Sequence, residues 1–198
     1  MKVSGPPLLP ILRSENQARL LTIILLAPER EFTLSELADE VGISPPTVTR
    51  EIRRAEEAGI VTIREVGRAK VVRADSDSVL NEPLTQLLLV SFGPAVVTAE
   101  ELAGIGGIDS AYIFGSWATR YVGQRGPSPR DLDVLVIGAP DRDVVYAAAD
   151  RIERRIRQPV QVTFRSATRW AQPGDDPFLQ EVQQRPLVPI SMAEGGTL

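Results

Sequence analysis

The stretch Thr33-Leu34-Ser35-Glu36-Leu37-Ala38-Asp39-Glu40-Val41-Gly42-Ile43-Ser44-Pro45-Pro46-Thr47-Val48-Thr49-Arg50 holds two helix starts with one helix stop between them. Thr33 and Glu36 have the spacing of a capping box, in which each side chain accepts the other residue's backbone N–H. Gly42 suits the left-handed position that ends a helix. Ser44 followed by Pro45 starts the next one, because a proline in the first turn lacks only an N–H that has no helical partner there. A short amphipathic helix after Thr33 and a second from Pro45 are predicted.

Outward from this pair, Glu15 to Leu26 places Leu20, Ile23, Ile24 and Leu26 at helical spacing behind Ser14, a candidate N-cap. The helix from Pro45 runs to about Ala58 and stops at Gly59. Helical periodicity sets Val48, Ile52 and Ala55 on one face and spreads Pro46, Thr47, Arg50, Arg53 and Arg54 over the other. Beyond it, Ile60–Arg64 and Lys70–Arg73 are β-prone runs joined by Glu65–Ala69, a hairpin with Gly67 at its tip. Three helices and a basic hairpin predict a winged helix-turn-helix.

Residues 1–75 hold 11 basic and 11 acidic side chains and residues 76–198 hold 11 and 15, giving the net charge of −4. Within the first half, residues 45–73 carry seven basic groups against four acidic ones, the locally basic stretch of the chain. Such an excess suits a small DNA-contacting surface and equally a solvated helix.

The run from Phe32 to Val72, with Ile43-Ser44-Pro45-Pro46-Thr47-Val48-Thr49-Arg50 and Glu57-Ala58-Gly59-Ile60-Val61, resembles the ArsR/MarR-type winged-helix regulators. The resemblance implies double-stranded DNA as partner, with a recognition helix in the major groove and a wing along the phosphates. On the matching positions the base readers would be Pro46, Thr47 and Arg50, and the phosphate contacts Ser44, Arg54, Arg64, Arg68 and Lys70. Winged helices also serve as protein-docking modules. The metal sites of some such sensors use histidine or cysteine, and with neither in the chain, sensing by soft ligands is excluded, as are disulfides and imidazole catalysis.

Ala74–Ser78 is polar and turn-rich, which suggests a DNA-binding domain over 1–75, a linking helix within 76–98 and a second domain over 99–198. The linking helix carries Leu84, Leu87, Leu88 and Phe92 as an apolar stripe. Leu87–Val90 either pairs with a second copy in a homodimer or is buried within the monomer.

In the second half, Ser110–Phe114 reads as a strand that ends in Gly115-Ser116, followed by a helix start. Glycine admits close backbone approach, and the serine hydroxyl offers a donor to phosphate oxygens. Asp131-Leu132-Asp133-Val134-Leu135-Val136 follows, with both aspartates on one side of a buried strand. Paired carboxylates there favour a hard divalent cation, Mg²⁺ or Mn²⁺, whose remaining ligands come from water and substrate phosphates.

Phe114-Gly115-Ser116-Trp117-Ala118 with Asp131-Leu132-Asp133-Val134-Leu135-Val136 resembles the nucleotidyltransferases of polymerase β type, in their minimal prokaryotic form, over about residues 100–170. The resemblance implies that Gly115 and Ser116 hold the triphosphate of an NTP and that Asp131 and Asp133 are the metal-binding, catalytic carboxylates. Arg120 is a further candidate for the triphosphate. The family's third carboxylate belongs on the next strand, Pro159–Phe164, whose polar positions here are Gln161 and Thr163. Neither accepts a proton near neutral pH, and losing a general base costs about 10²–10⁴-fold. Glu153, Asp175 and Asp176 are the nearby acids that could replace it.

The expected fold is therefore α+β: an N-terminal winged helix-turn-helix and a small C-terminal mixed α/β, nucleotidyltransferase-like domain. The expected function is a DNA-binding transcription regulator whose second domain binds NTP with Mg²⁺. The alternative is an active nucleotidyltransferase that moves a nucleoside monophosphate to a protein or RNA hydroxyl, for instance as the antitoxin partner of a toxin. The longest apolar run, Leu20–Ala27, is too short to span a bilayer, so a cytoplasmic protein without a membrane partner is expected.

Overall fold

Ser14 opens the first helix, its Oγ accepting the Gln17 N–H at 3.2 Å, and α1 (Glu15–Leu26) follows as the spacing predicts. After β1 (Phe32–Thr33) comes α2 (Leu34–Val41), with both halves of the capping box formed: Thr33 Oγ1 accepts from Glu36 N at 3.1 Å and Glu36 Oε2 from Thr33 N at 2.6 Å. The Thr33 backbone N–H, and after it the Thr33 side chain, hold the Glu36 carboxyl below its usual value. Gly42 ends α2 at φ +73°, where a side chain would be strained. In α3 (Pro45–Glu57) one detail differs from expectation. Ser44 stands at the N-cap, but its hydroxyl meets Thr47 Oγ1 at 2.9 Å instead of capping a backbone N–H.

The computed structural model describes residues 14–67, 69–124 and 128–192. The hairpin is β2 (Val61–Val66) with β3 (Ala69–Ala74), in an antiparallel sheet of order β1-β3-β2. Its strands run further toward the tip than expected, so that Gly67 is the described residue of the turn and Arg68 lies outside the described residues. Phe32, Leu20, Ile24, Leu37, Val48, Ile52 and Val72 form a core in which each side chain is at most 2% exposed. Burying a residue of this kind is worth about 1.5–3 kcal/mol.

The segment read as a linker is α4 (Asn81–Phe92), which packs on α1. Leu88 lies in the first core, with Leu84 and Phe92 against it, whereas Leu87 and Val90 face outward at 46% and 62% exposure. The chain accordingly divides after Gly93, later than the polar Ala74–Ser78 stretch suggests, because the leucines of α4 complete the first core.

The second unit begins with α5 (Pro94–Leu102) and is built on a four-stranded sheet of order β6-β5-β4-β7. β4 (Ile108–Phe114) is antiparallel to β5 (Leu132–Gly138), and β6 (Val160–Arg165) is parallel to β5 through α7 (Arg142–Ile156). β7 (Val188–Pro189) pairs with β4. Leu132, Val134, Leu135, Val136 and Ile137 are at most 1% exposed, as in a central strand covered on both faces. On one face Leu135 and Ile137 are packed by Tyr112, Trp170, Phe178 and Val182, the last three from α8 (Ala167–Ala171) and α9 (Pro177–Gln183). Arg151 and Arg155 of α7 hold Glu101 of α5 at 2.6 and 2.9 Å. Among the described residues no helix is long and apolar enough to cross a membrane.

Candidate functional site

The proline start and the 3.6-residue period of α3 dictate which of its side chains meet solvent. Val48, Ile52 and Ala55 are buried, while Ser44, Pro46, Arg50 and Arg53 are exposed and Thr47 and Arg54 half-buried. The structure thus brings Pro46, Thr47 and Arg50 to the outer side of the helix as its period requires. Two of the arginines share a counter-ion that the sequence reading did not assign. Glu51 Oε1 accepts from Arg54 Nη1 at 2.8 Å and from Arg50 Nε at 3.4 Å, and the Glu51 side chain is 10% exposed. Its Oε2 is buried without a hydrogen-bond partner.

The wing repeats the pattern. Arg64 makes a two-bond pair with Glu31, Nε to Oε1 at 2.7 Å and Nη2 to Oε2, which holds the Glu31 carboxyl below its usual value. Lys70 is exposed and stands opposite Glu65 in the hairpin register. Arg50, Arg54, Arg64 and Lys70 therefore each have a carboxylate beside or across from them. Glu51, one residue from Arg50 and three from Arg54, was signalled by charge spacing, whereas only the fold brings Glu31 to Arg64.

In the second unit, β4 hands the chain directly to α6 (Gly115–Tyr121). Gly115 has φ +70°, and a Cβ there would collide with Asp133 Oδ2. The glycine is thus required twice, by its backbone and by the carboxylate packed on it. Asp133 is the second residue of β5, in register with Phe114, and Asp131 sits in a bend just ahead of that strand. Burial, and then the Asp131 carboxylate, raise the Asp133 carboxyl above its ordinary value. Ser116 is exposed beside them, and Arg120 lies half-buried in the last turn of α6.

Gln161 stands next to Asp133 in the parallel β5–β6 register, with Thr163 two residues on beside Leu135. The strand position next to the carboxylate is therefore filled by an amide. None of the acids considered as replacements joins the pair. Glu153 Oε2 accepts the Val160 N–H at 3.2 Å, Asp176 caps α9 and pairs with Arg165 at 3.3 Å, and Asp175 is exposed. Among the described residues no group of three or more His, Cys, Asp or Glu could hold a metal ion. Two hard carboxylates, one destabilised by the other, still form a donor pair chemically suited to a divalent cation that takes its other ligands from phosphate and water.

One positioning group escaped the sequence reading. Gln158 accepts from Trp117 Nε1 at 3.1 Å and donates to the Pro129 carbonyl at 3.1 Å. It ties α6 to the segment that leads into Asp131. A lone glutamine before a strand carries no motif, so no sequence signal could have found it.

Residues 12–70, which hold the winged helix of the first unit, match the model of the MarR family. No curated protein matches the chain. Among solved structures the chain is similar to MepR, a transcription regulator of the Staphylococcus aureus multidrug efflux pump MepA, at 15% identity and TM-score 0.36, covering 42% of this chain and 60% of that one. It is similar to the adhesin competence repressor AdcR of Streptococcus pyogenes at 18% identity and TM-score 0.32, covering 39% and 55%. It is also similar to a mutant MarR from E. coli complexed with operator DNA at 18% identity and TM-score 0.34, covering 42% and 59%. The chain thus spans little more than half the length of these proteins.

Proposed function

We propose that this chain is a DNA-binding transcription regulator of MarR type whose second unit binds a nucleoside triphosphate with Mg²⁺. The observation that carries the DNA half is α3, which follows a capped helix and a tight turn and exposes Pro46, Arg50 and Arg53 on one side, within a segment that matches the MarR family. Pro46, Thr47 and Arg50 read base edges, and Ser44, Arg54, Arg64 and Lys70 contact phosphates. The outward Leu87 and Val90 of α4, with Leu80 at 48% exposure, supply an apolar stripe through which two copies pair on a two-fold operator.

The test is binding to an operator selected from random duplex DNA. Arg50→Ala with Arg54→Ala abolishes selection, and Lys70→Ala weakens all sequences alike and lowers the salt slope by about one. Unchanged affinity in the Arg50/Arg54 variant refutes the reading.

For the nucleotide half, what supports the reading is the packing of Asp133 against Gly115 with Ser116 exposed beside it. Asp131 and Asp133 would hold the cation, which neutralises the phosphates when bound, and the Ser116 hydroxyl would bond a phosphate oxygen. Gln161 beside Asp133 cannot take a proton from an acceptor hydroxyl, so binding without efficient transfer is the function we assign. Mg·NTP raises the melting temperature of the protein and fails to do so in Asp131→Asn/Asp133→Asn. Transfer of α-labelled nucleotide to a lysate protein or RNA, lost in that double variant, would instead make the chain an active transferase.

A further inference from the structure

The β5–β6 pairing begins at Leu132 and Val160, and the Pro159 carbonyl just ahead of it accepts the Leu132 N–H at 2.8 Å. Further out there is no strand, and the Gln158 side chain continues the pairing in its place: its Nε2 donates to the carbonyl of buried Pro129 at 3.1 Å. Asp131 sits in the bend between these two ties. Its backbone is thus held on one side by the strand and on the other by a carboxamide.

The other end of the same carboxamide reaches α6. Gln158 Oε1 accepts from Trp117 Nε1 at 3.1 Å. Trp117 follows Ser116 directly and is 4% exposed, so the bond bears on the first turn of the helix, where Gly115 packs on Asp133. An indole N–H only donates and a backbone carbonyl only accepts, so an amide serves both at once and a carboxylate would serve the indole alone. The tie also opposes a force. The Asp131 carboxylate raises Asp133, so the two charges repel, and a bend without ladder bonds relieves that repulsion by swinging outward unless something holds it.

We propose that Gln158 is a positioning residue for the second unit's ligand: it fixes the Asp131 bend against the Ser116 end of α6, so that cation and triphosphate find their protein groups already at the right spacing. The proposal rests on the assignment of Asp131, Asp133 and Ser116 to a Mg·NTP site. Gln158 acts there through the residues that it ties, and its contribution is to keep two mutually repelling carboxylates and a serine in one arrangement before the ligand arrives.

Calorimetric titration of the full chain with each of the four Mg·NTPs tests it, below the melting transition of every variant as followed by Trp170 fluorescence. Gln158→Leu, which removes both bonds with little change of volume, weakens the best-bound Mg·NTP about 10-fold or more. Gln158→Glu keeps an acceptor for the indole, loses the donor to Pro129 and is weakened to a similar extent. Trp117→Phe, which frees only the α6 end, is weakened less, and it adds nothing on top of Gln158→Leu because the two variants break one bridge. Val145→Ala supplies the control for stability. Its side chain is 1% exposed near the start of α7, at the end of β5 away from Asp131, so the change destabilises the same unit and keeps affinity within about 2-fold. If the unmodified protein binds no Mg·NTP at millimolar concentration, the nucleotide site itself is refuted and Gln158 has nothing to position. If it binds, and folded Gln158→Leu binds as tightly, or Val145→Ala loses as much, or Trp117→Phe adds its full loss to that of Gln158→Leu, the site stands and the positioning role is overturned.

Discussion

Asp133 and Gly115 decide what the second unit can do at the level of single atoms. Asp133 is raised above an ordinary aspartate by burial and by Asp131, so between the ordinary value and the raised one the unfolded chain has lost a proton that the folded chain keeps. Stability therefore falls as pH rises through that window, and the whole penalty persists above it. Asp133→Asn removes the charge, so the variant melts higher than the unmodified protein at pH 7, on the order of a few degrees, and the gap closes below the window. Melting curves followed by Trp117 and Trp170 fluorescence across pH measure this; a variant that melts lower at pH 7 contradicts it. Gly115→Ala acts oppositely. A Cβ at φ +70° aimed at Asp133 Oδ2 combines backbone strain with overpacking and costs about 2–4 kcal/mol. In the Gly115→Ala/Asp133→Ala pair the steric part is relieved, so the two costs are less than additive, which chemical denaturation of the four proteins reads directly.

At the level of elements, Glu51 pairs two arginines of its own helix α3. Arg50 and Arg54 both rest on Oε1, while Oε2 is buried without a partner. Under the proposed DNA contact, Glu51→Gln leaves the helix intact and removes the carboxylate that would compete with DNA phosphate, so duplex affinity rises, roughly 3–10-fold at low salt, with the gain shrinking as salt screens it. Titrations at two salt concentrations check this, and weaker binding would make Glu51 an organiser of the arginines instead of a competitor. The boundaries of α1, α2 and α3 were legible because their ends are written in local chemistry: Ser14, the Thr33–Glu36 box, Gly42 and Pro45. α4 was legible as a helix but not in its allegiance, since a polar break at 74–78 does not tell which core Leu88 enters. That Asp131 and Asp133 share a side followed from strand alternation, whereas the places of Gly115 and Gln161 beside Asp133 were legible only through the resemblance to the nucleotidyltransferases. The Gln158 bridge was not legible, because it depends on a pairing between segments that carry no local signature.

For the whole molecule, the division after Gly93 predicts that each unit unfolds by itself. Both tryptophans, Trp117 and Trp170, lie in the second unit, so their fluorescence reports that unit while far-ultraviolet circular dichroism reports helices in both. Leu88 is fully buried in the first core and Leu135 in the second. Leucine-to-alanine changes at such sites cost about 2–5 kcal/mol, and for units of this size each kcal/mol moves the midpoint by roughly 4–8 °C. Leu88→Ala therefore lowers the dichroism transition by about 10 °C or more and leaves the fluorescence midpoint in place, whereas Leu135→Ala lowers the fluorescence midpoint. If Leu88→Ala moved the tryptophan signal by the same amount, α4 would belong to a cooperative unit extending past Gly93, and a ligand bound in the second unit would then stabilise the helices of the first unit by mass action on that shared unfolding equilibrium. If the signals separate, a nucleotide raises the fluorescence midpoint alone. Any control of DNA binding by such a ligand must then work through the folded state, which operator titrations with and without ligand measure directly.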